Sequence, residues 1–374
     1  MYCKVETKEF RDIHKSNIIQ QTAFWARVKK QQGILPYAFK YKADDDLLFR
    51  TQATPKPVYD DILILLQPID RTHTIAYVPY GPKDEPAPEN HGKFIEELSE
   101  VLRPHLPEGC IAIRYDLPWE NLWAKEDEYF DEQNNWLGPP AVRNQEMRVN
   151  FNTNNWNLFK TPTDILPSNT IFMDLSQNEE QIMAGMKPKT RYNIRLAMRK
   201  GVEVNSYNMD YIDEWYKLYK QTSQRNGITL HGKDYFQSVL NTHTNDLNSP
   251  AEVKLLMADY GNEHLAAMFL ILSKNRGTYL YGASSGEKRN FMATYAIQWE
   301  AIKQSQQAGC HEYDLFGAAP NSNPGHPMHG LYRFKSGFGG YMFHRMGCWD
   351  YPLDFDKYEL LRAQEVNNQA YHTN

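Results

Sequence analysis

The stretch TYLYGASSGEKRNFMATYAIQWEAIKQSQQAGCHEYDLFG, Thr278–Gly317, decides the fold. Its first part, Thr278–Ala283, is rich in β-formers and follows the turn Asn275-Arg276-Gly277, so it predicts a strand. Met292, Tyr295, Trp299 and Ile302 then recur at helical spacing, which predicts a helix over Met292–Gln307. Gly309 ends that helix, and Glu312–Phe316 reads as a short strand. Upstream, Val253–Ala258 and Leu265–Leu272 read as strands joined by turns at Gly261-Asn262 and Asn275-Arg276-Gly277. A helix over Tyr211–Asn226 precedes them, with Ile212, Trp215, Tyr216 and Tyr219 on one face and Gly227 as its cap. The order is helix, strand hairpins, helix, strand.

The first half of the chain repeats it. Ser16–Gln32 reads as a helix capped by Ser16 or Asn17, with Trp25 and Val28 on one face. Tyr37–Tyr41, Leu47–Thr51, Val58–Leu66 and Thr74–Pro79 read as strands, followed by a helix over His91–Arg103 and a strand over Ile111–Tyr115. The helix stripe is Phe94, Leu98, Val101 and Leu102. These periodicities predict an α+β chain of two tandem units, each a mixed sheet flanked by helices. We place the first over residues 1–165 and the second over residues 166–340, with 341–374 packing back on the first. Trp119–Asn169, rich in Asn, Asp and Pro, fits neither copy and reads as loops and a connection. No sustained heptad pattern interrupts the second half, so no coiled-coil insertion is expected.

With 374 residues and 41% apolar content the chain can bury sizeable cores. Its formal net charge of −5 excludes a surface that attracts nucleic acid as a whole, and no DNA partner is expected. A polyanion site must therefore be local. The segment KPKTRYNIRLAMRK, Lys187–Lys200, has six basic residues in fourteen and no acidic one. Lys187, Arg191, Arg195 and Arg199 stand four apart and form one helical stripe of like charge, which weakens an isolated helix and which a phosphate backbone relieves. A solvated helix whose basic end complements its own dipole is the plain alternative.

The four cysteines, Cys3, Cys110, Cys310 and Cys348, are scattered, and His326 and His329 sit in a Pro/Gly loop, so no metal site is expected. Neither a signal-peptide core nor a long apolar run is present, and the expectation is a soluble, reduced, cytoplasmic protein. No GxGxxG follows a strand, no GxxxxGK[ST] occurs, and no Gly-rich pyrophosphate loop opens Met292–Gln307.

Several segments resemble, in order, the FemABX family of tRNA-dependent peptidoglycan-bridge aminoacyltransferases. They are FWARVKKQQG (Phe24–Gly33), YVPYGP (Tyr77–Pro82), IRYDLP (Ile113–Pro118), KTRYNIRLAMRKGVEV (Lys189–Val204), TSQRNGI (Thr222–Ile228), the Thr278–Gly317 stretch and GLYRFKSGFGG (Gly330–Gly340). The resemblance implies two acetyltransferase-like (GNAT-like) units in tandem, here in a short form without a coiled-coil arm. It implies transfer of an amino acid from aminoacyl-tRNA, the co-substrate, to an amine on the stem peptide of a UDP-linked or lipid-linked precursor, with no cofactor. A lipid-linked acceptor would bring the protein to the inner membrane face.

That transfer is aminolysis of an ester, and it needs a placed amine, a neutral amine and a stabilised oxyanion. The resemblance assigns the oxyanion to Lys335, with the carbonyl of Phe334 orienting the amine. It assigns contacts with the precursor's phosphates and sugar to Lys29, Arg225 and Tyr281. It makes Asp116 a candidate base, although a carboxylate there could equally cap a turn before Pro118. With no coiled-coil arm expected, tRNA docking is left to the stripe Lys187, Arg191, Arg195 and Arg199 or to another patch. Glycines 337, 339 and 340 are expected to let backbone approach a ligand. Tyr80 departs from the family pattern, in which a basic residue often precedes the Gly-Pro. The alternatives are a coenzyme A-dependent N-acyltransferase on the same scaffold, or a non-catalytic binder of RNA or precursor.

Overall fold

The computed structural model describes residues 3–44, 48–49, 57–227 and 231–372. Two compact units divide the chain: Met1–His14, Gln20–Ser168 and His344–Asn374 form the first, Lys15–Ile19 and Asn169–Phe343 the second.

In the first unit, β1 (Cys3–Lys8), β2 (Leu35–Ala43), β3 (Val58–Pro68) and β4 (Thr74–Val78) run antiparallel in succession. The chain then crosses through the helix His91–Leu102 to β5 (Cys110–Glu120), which pairs parallel with β4. A crossover of this kind is what a parallel pair requires. The helix buries Phe94, Leu98, Val101 and Leu102, as its spacing predicts, against Phe39, Tyr41, Ile64 and Tyr115 of the sheet. The sheet is completed by the late strand Tyr341–Pro352. Its Arg345–Pro352 part runs antiparallel to β5, with the two-residue β6 (Phe159–Lys160) beside it.

The second unit has the same plan. It contains β7 (Asn169–Asp174), β8 (Glu203–Tyr207), β9 (Glu252–Tyr260), β10 (Glu263–Ser273), β11 (Arg276–Ser284) and β12 (Glu312–Asp314). Strands β8 to β11 form an antiparallel meander. A helix over Ala293–Gln307 crosses to β12, parallel with β11, and β7 closes the order antiparallel to β12. Trp299, Ile302, Ala296 and Ile297 of that helix are buried, with Tyr295 and Met292 packed at the edge of the core. Numbering Tyr341–Pro352 as β13, each unit is four antiparallel strands, a helix, a parallel fifth strand and an antiparallel sixth.

The helices are α1 (Ala23–Gln31), α2 (His91–Leu102), α3 (Val142–Asn150), α4 (Glu179–Gly185), α5 (Pro188–Arg199), α6 (Ile212–Asn226), α7 (Lys233–Asn241), α8 (Ala293–Gln307), α9 (His329–Lys335) and α10 (Phe355–His372). Gly227 caps α6 at φ 64°. Among the described residues no helix is long and apolar enough to cross a membrane.

Several expectations need correction. The first helix begins at Ala23, not Ser16, because the Thr22 hydroxyl accepts from the Trp25 N–H at 3.2 Å; a 3-10 turn over Ile19–Gln21 precedes it. Trp119–Asn169 is not all loop, since it contains α3 and β6. The residues after Gly340 form β13 and α10, and His344–Asn374 belongs to the first unit, where 341–374 is expected. Leu47, Arg50 and Thr51 of the expected strand Leu47–Thr51, and Ile228, lie outside the described residues. The four cysteines are buried and unbridged.

Candidate active site

Lys335 ends α9, and its side chain is 4% exposed. The Nζ donates to the carbonyl oxygens of Gly317 at 2.7 Å and Phe316 at 3.1 Å. It also lies 5.1 Å from the centre of the Tyr279 ring. Phe316 takes a positive φ of 58°, held by its N–H donating to Asp314 Oδ1, so two successive carbonyls turn toward the amine. That Asp314 oxygen also accepts from the Thr170 hydroxyl. Burial lowers the Lys335 pKa to about 7, against a smaller opposing pull from Asp314.

Phe334, the preceding residue, packs its ring edge-on against Tyr295 of α8 at 5.1 Å and Phe338 at 5.2 Å. Its carbonyl accepts from the Ser336 N–H at the helix end. Tyr295 also lines a cavity of about 510 Å³ at the start of α8, together with Lys189, Asn193, Ser284, Ser285 and Arg289. Lys189 and Arg289 form no ion pair among the described residues.

Two of the glycines after Lys335 let neighbouring elements pack closely. A Cβ on Gly337 would stand 2.3 Å from the Thr190 hydroxyl of α5. One on Gly340, at φ 84°, would stand 2.2 Å from the carbonyl of Phe172 in β7.

The basic stripe folds as α5, with Thr190, Asn193, Ile194 and Ala197 inward. Lys187 at its N-cap donates its backbone N–H to the Gly337 carbonyl at 2.9 Å and its ammonium to the Ser336 hydroxyl at 3.2 Å. Arg191 is occupied otherwise: its guanidinium donates to the carbonyls of Ala184 and Met186 at the end of α4. Arg195 and Arg199 face outward, beside Tyr192, which is 56% exposed, and Met198. The Arg199 guanidinium lies 5.9 Å over the Tyr192 ring. The stripe is thus an exposed basic face interleaved with one aromatic ring, tied at its first residue to the Lys335 segment.

Arg225, in the last turn of α6, donates to the Ser284 hydroxyl at 2.9 Å and the Ser284 carbonyl at 3.2 Å. Burial and the nearby charge of Arg289 lower its pKa. Tyr281 shares a hydroxyl–hydroxyl hydrogen bond with Tyr235 of α7. His231 stacks on Tyr235 at 4.4 Å and meets Tyr281 edge-on at 6.0 Å. Neither Tyr235 nor His231 is singled out in the sequence; an aromatic pair just past an expected helix cap was the available signal.

Lys29 and Asp116 belong to the first unit. Lys29 is half-buried on α1, 4.9 Å over the Trp25 ring and 3.2 Å from Gln32 Oε1, and burial lowers its pKa to about 8. Asp116 lies inside β5 and is 0% exposed. Its Oδ2 accepts from the Tyr77 hydroxyl at 3.0 Å and the Leu166 N–H at 2.9 Å, while Oδ1 has no hydrogen-bond partner among the described residues. Burial raises its pKa to about 6. Tyr80 donates to the Pro167 carbonyl at 2.6 Å, and the Arg345 guanidinium lies 4.5 Å over its ring. A cation thus sits beside the position where the family pattern often has a basic residue. Among the described residues no group of three or more His, Cys, Asp or Glu could hold a metal.

The model of the FemAB family matches residues 3–250 and 244–365. A lipid II:glycine glycyltransferase of Staphylococcus haemolyticus is 22% identical over 257 residues, and one of Staphylococcus epidermidis is 23% identical over 254. Each alignment spans 53% of this chain and 61% of the relative. The crystal structure of FemX matches with a TM-score of 0.69 at 16% identity, covering 96% of this chain and 100% of that one, which is a likeness of fold. By the extent of the family match, this chain belongs to the FemAB family.

Proposed function

We propose that this protein is an aminoacyltransferase that moves an amino acid from aminoacyl-tRNA to an amine on the stem peptide of a peptidoglycan precursor. The observation that carries the reading is Lys335: a buried amine held by two carbonyls, at the position where the family motif has its lysine. The staphylococcal relatives, by their names, act on lipid II, which supports a precursor as acceptor, whether UDP-linked or lipid-linked.

The chemistry is direct. The acceptor amine attacks the ester carbonyl, the carbonyl oxygen becomes an oxyanion, and collapse releases the tRNA hydroxyl as the amide forms. An ester is already activated, so no covalent intermediate on the protein is required. Lys335 as an ammonium stabilises the oxyanion; its Phe316 and Gly317 bonds fix the side chain before the substrate arrives, so little reorganisation remains. The aminoacyl end occupies the cavity edged by Tyr295, whose ring packs on Phe334. The Phe334 carbonyl orients the incoming amine. Lys187, Arg195 and Arg199 receive the RNA backbone, and Arg191 shapes the surface by capping α4.

Arg225 and Tyr281 are assigned to the acceptor's phosphates and sugar, which suits a guanidinium and a hydroxyl. Lys29 carries a phosphate contact on its own unit. Asp116 is assigned a positioning role, because its bonded oxygen holds the Leu166 backbone and its side chain is closed to solvent.

The test uses purified protein, tRNA charged with a labelled amino acid, and UDP-linked and lipid-linked muropeptides in separate arms. Label is expected to enter an acceptor, and Lys335→Ala is expected to slow transfer by about 10²–10³-fold. No labelled acceptor with any charged tRNA, alongside turnover of an acyl-coenzyme A, would replace this reading with the coenzyme A alternative. Binding of RNA or precursor without turnover would replace it with the non-catalytic one.

A further inference from the structure

Lys335 is closed off from water, yet no carboxylate bonds it among the described residues. Its hydrogen bonds go to two backbone carbonyls, which are neutral. A carbonyl accepts more strongly from an ammonium than from an amine, but it accepts from both, so this seat admits either form. The charged groups on surrounding elements do little to favour the ammonium. On β12, the bonded oxygen of Asp314 already accepts from Thr170 and from the Phe316 N–H. Lys187, at the start of α5, directs its ammonium to the Ser336 hydroxyl, and Arg333 on α9 itself is of like sign, so neither favours a further cation. Tyr279 of β11 presents its ring, and Tyr295 of α8 packs on Phe334. Desolvation thus acts against the charge with weak compensation, in agreement with the depressed pKa given above.

Two of the three hydrogens of an Nζ ammonium are taken by the Phe316 and Gly317 carbonyls. The position left over is an N–H in the ammonium and a lone pair in the amine. The same direction therefore either donates or accepts, with the side chain unmoved.

Resting on the transfer reading above, we propose that Lys335 serves the reaction twice: as a neutral amine it takes the proton of the acceptor's attacking ammonium, and as the ammonium so formed it donates to the oxyanion. The steps balance. The acceptor R–NH3⁺ gives one proton to Lys335 and becomes R–NH2. Its lone pair forms the C–N bond while the carbonyl π pair moves to oxygen beside the Lys335 ammonium. The intermediate's nitrogen, now R–NH2⁺–, gives a proton to the departing ribose oxygen as the C–O bond breaks, which leaves the amide and the tRNA hydroxyl. Lys335 then returns its proton to water, so one proton is released per transfer. This supplies the neutral amine from a residue on the second unit, with no further base required.

Two measurements test it. In protein labelled with ¹³C at the lysine ε carbons, the resonance lost in Lys335→Met should titrate near neutrality, well apart from the bulk lysines; titration together with them overturns the proposal. The second compares acceptors. Lys335→Arg keeps a cation that cannot accept a proton. With an ordinary amine acceptor near pH 7 it should lose about 10²-fold or more. An aminooxy analogue of the acceptor is already neutral at that pH, and it should regain most of that loss. Equal loss with both acceptors, in a wild-type protein that transfers to both, overturns the double role and leaves the transfer reading standing. Absence of transfer by the wild-type protein with either acceptor overturns both.

Discussion

Lys187 and Ser336 are joined by a 3.2 Å hydrogen bond from ammonium to hydroxyl, beside a 2.9 Å backbone bond from Lys187 to Gly337. The first residue of the basic helix and the residue after Lys335 are therefore one local structure. On the reading proposed above, a polyanion seated on α5 would be held at a fixed place relative to Lys335.

That arrangement separates the roles of the basic residues. Replacing Arg195 and Arg199 together by Glu should weaken tRNA binding steeply, flatten its dependence on salt, and leave the fold intact. Arg191→Ala should do the reverse. It frees the Ala184 and Met186 carbonyls and should cost about 1–2 kcal/mol of stability. Filter binding across a salt series, with thermal melts, distinguishes the two outcomes.

Gly340→Ala places a Cβ against the Phe172 carbonyl in a backbone region that favours glycine. The expected cost is about 2 kcal/mol or more, since neither β7 nor the loop yields easily. Gly337→Ala meets the Thr190 hydroxyl instead, a single side-chain atom, and pairing it with Thr190→Ala should recover part of the loss. Denaturant melts of the single and double variants read both.

The Lys335 pKa of about 7 lies below the ordinary lysine value, so above neutrality the unfolded chain binds more protons than the folded one. Stability should therefore rise with pH between about 7 and 10 through this group, by a few kcal/mol at most. Lys335→Met should remove that rise. Equal slopes in urea melts of the two proteins across this range would contradict it.

Asp116 gives the opposite window. Its folded pKa of about 6 lies above the unfolded value near 4, so the folded state holds the proton longer. Its contribution is full below pH 4 and is lost as pH rises through 6. Asn can still accept from the Tyr77 hydroxyl and the Leu166 N–H. Asp116→Asn should flatten the slope between pH 4 and 6 and retain most transfer activity, whereas loss on the scale of Lys335→Ala would make Asp116 a catalytic base.

The duplication was legible because Phe94, Leu98, Val101 and Leu102, and likewise Trp299 and Ile302, bury an apolar stripe whose period is set by the helix itself. The N-cap was missed because Ser16 and Thr22 are both competent caps. Packing of Phe24 and Trp25 favours the later start. Strands β1 and β8, CKVETK and EVNSY, lie at the ends of their meanders, so their polar pattern carries little signal. At the site, Lys335 could be marked from its motif. Its seat could not, because carbonyls of Phe316 and Gly317 have no residue-type signature and depend on a positive φ at Phe316. The structural use of Arg191 was hidden for the same reason: its partners are backbone oxygens of α4.

The most direct measurement is a mass spectrum of stem peptides from cells lacking this protein, restored with either the wild-type chain or Lys335→Ala. Stem peptides lighter by the mass of one or more amino-acid residues are expected in the deletion and in the Lys335→Ala strain, with the full mass returned by the wild-type chain. Identical stem peptides in all of these strains would contradict the account.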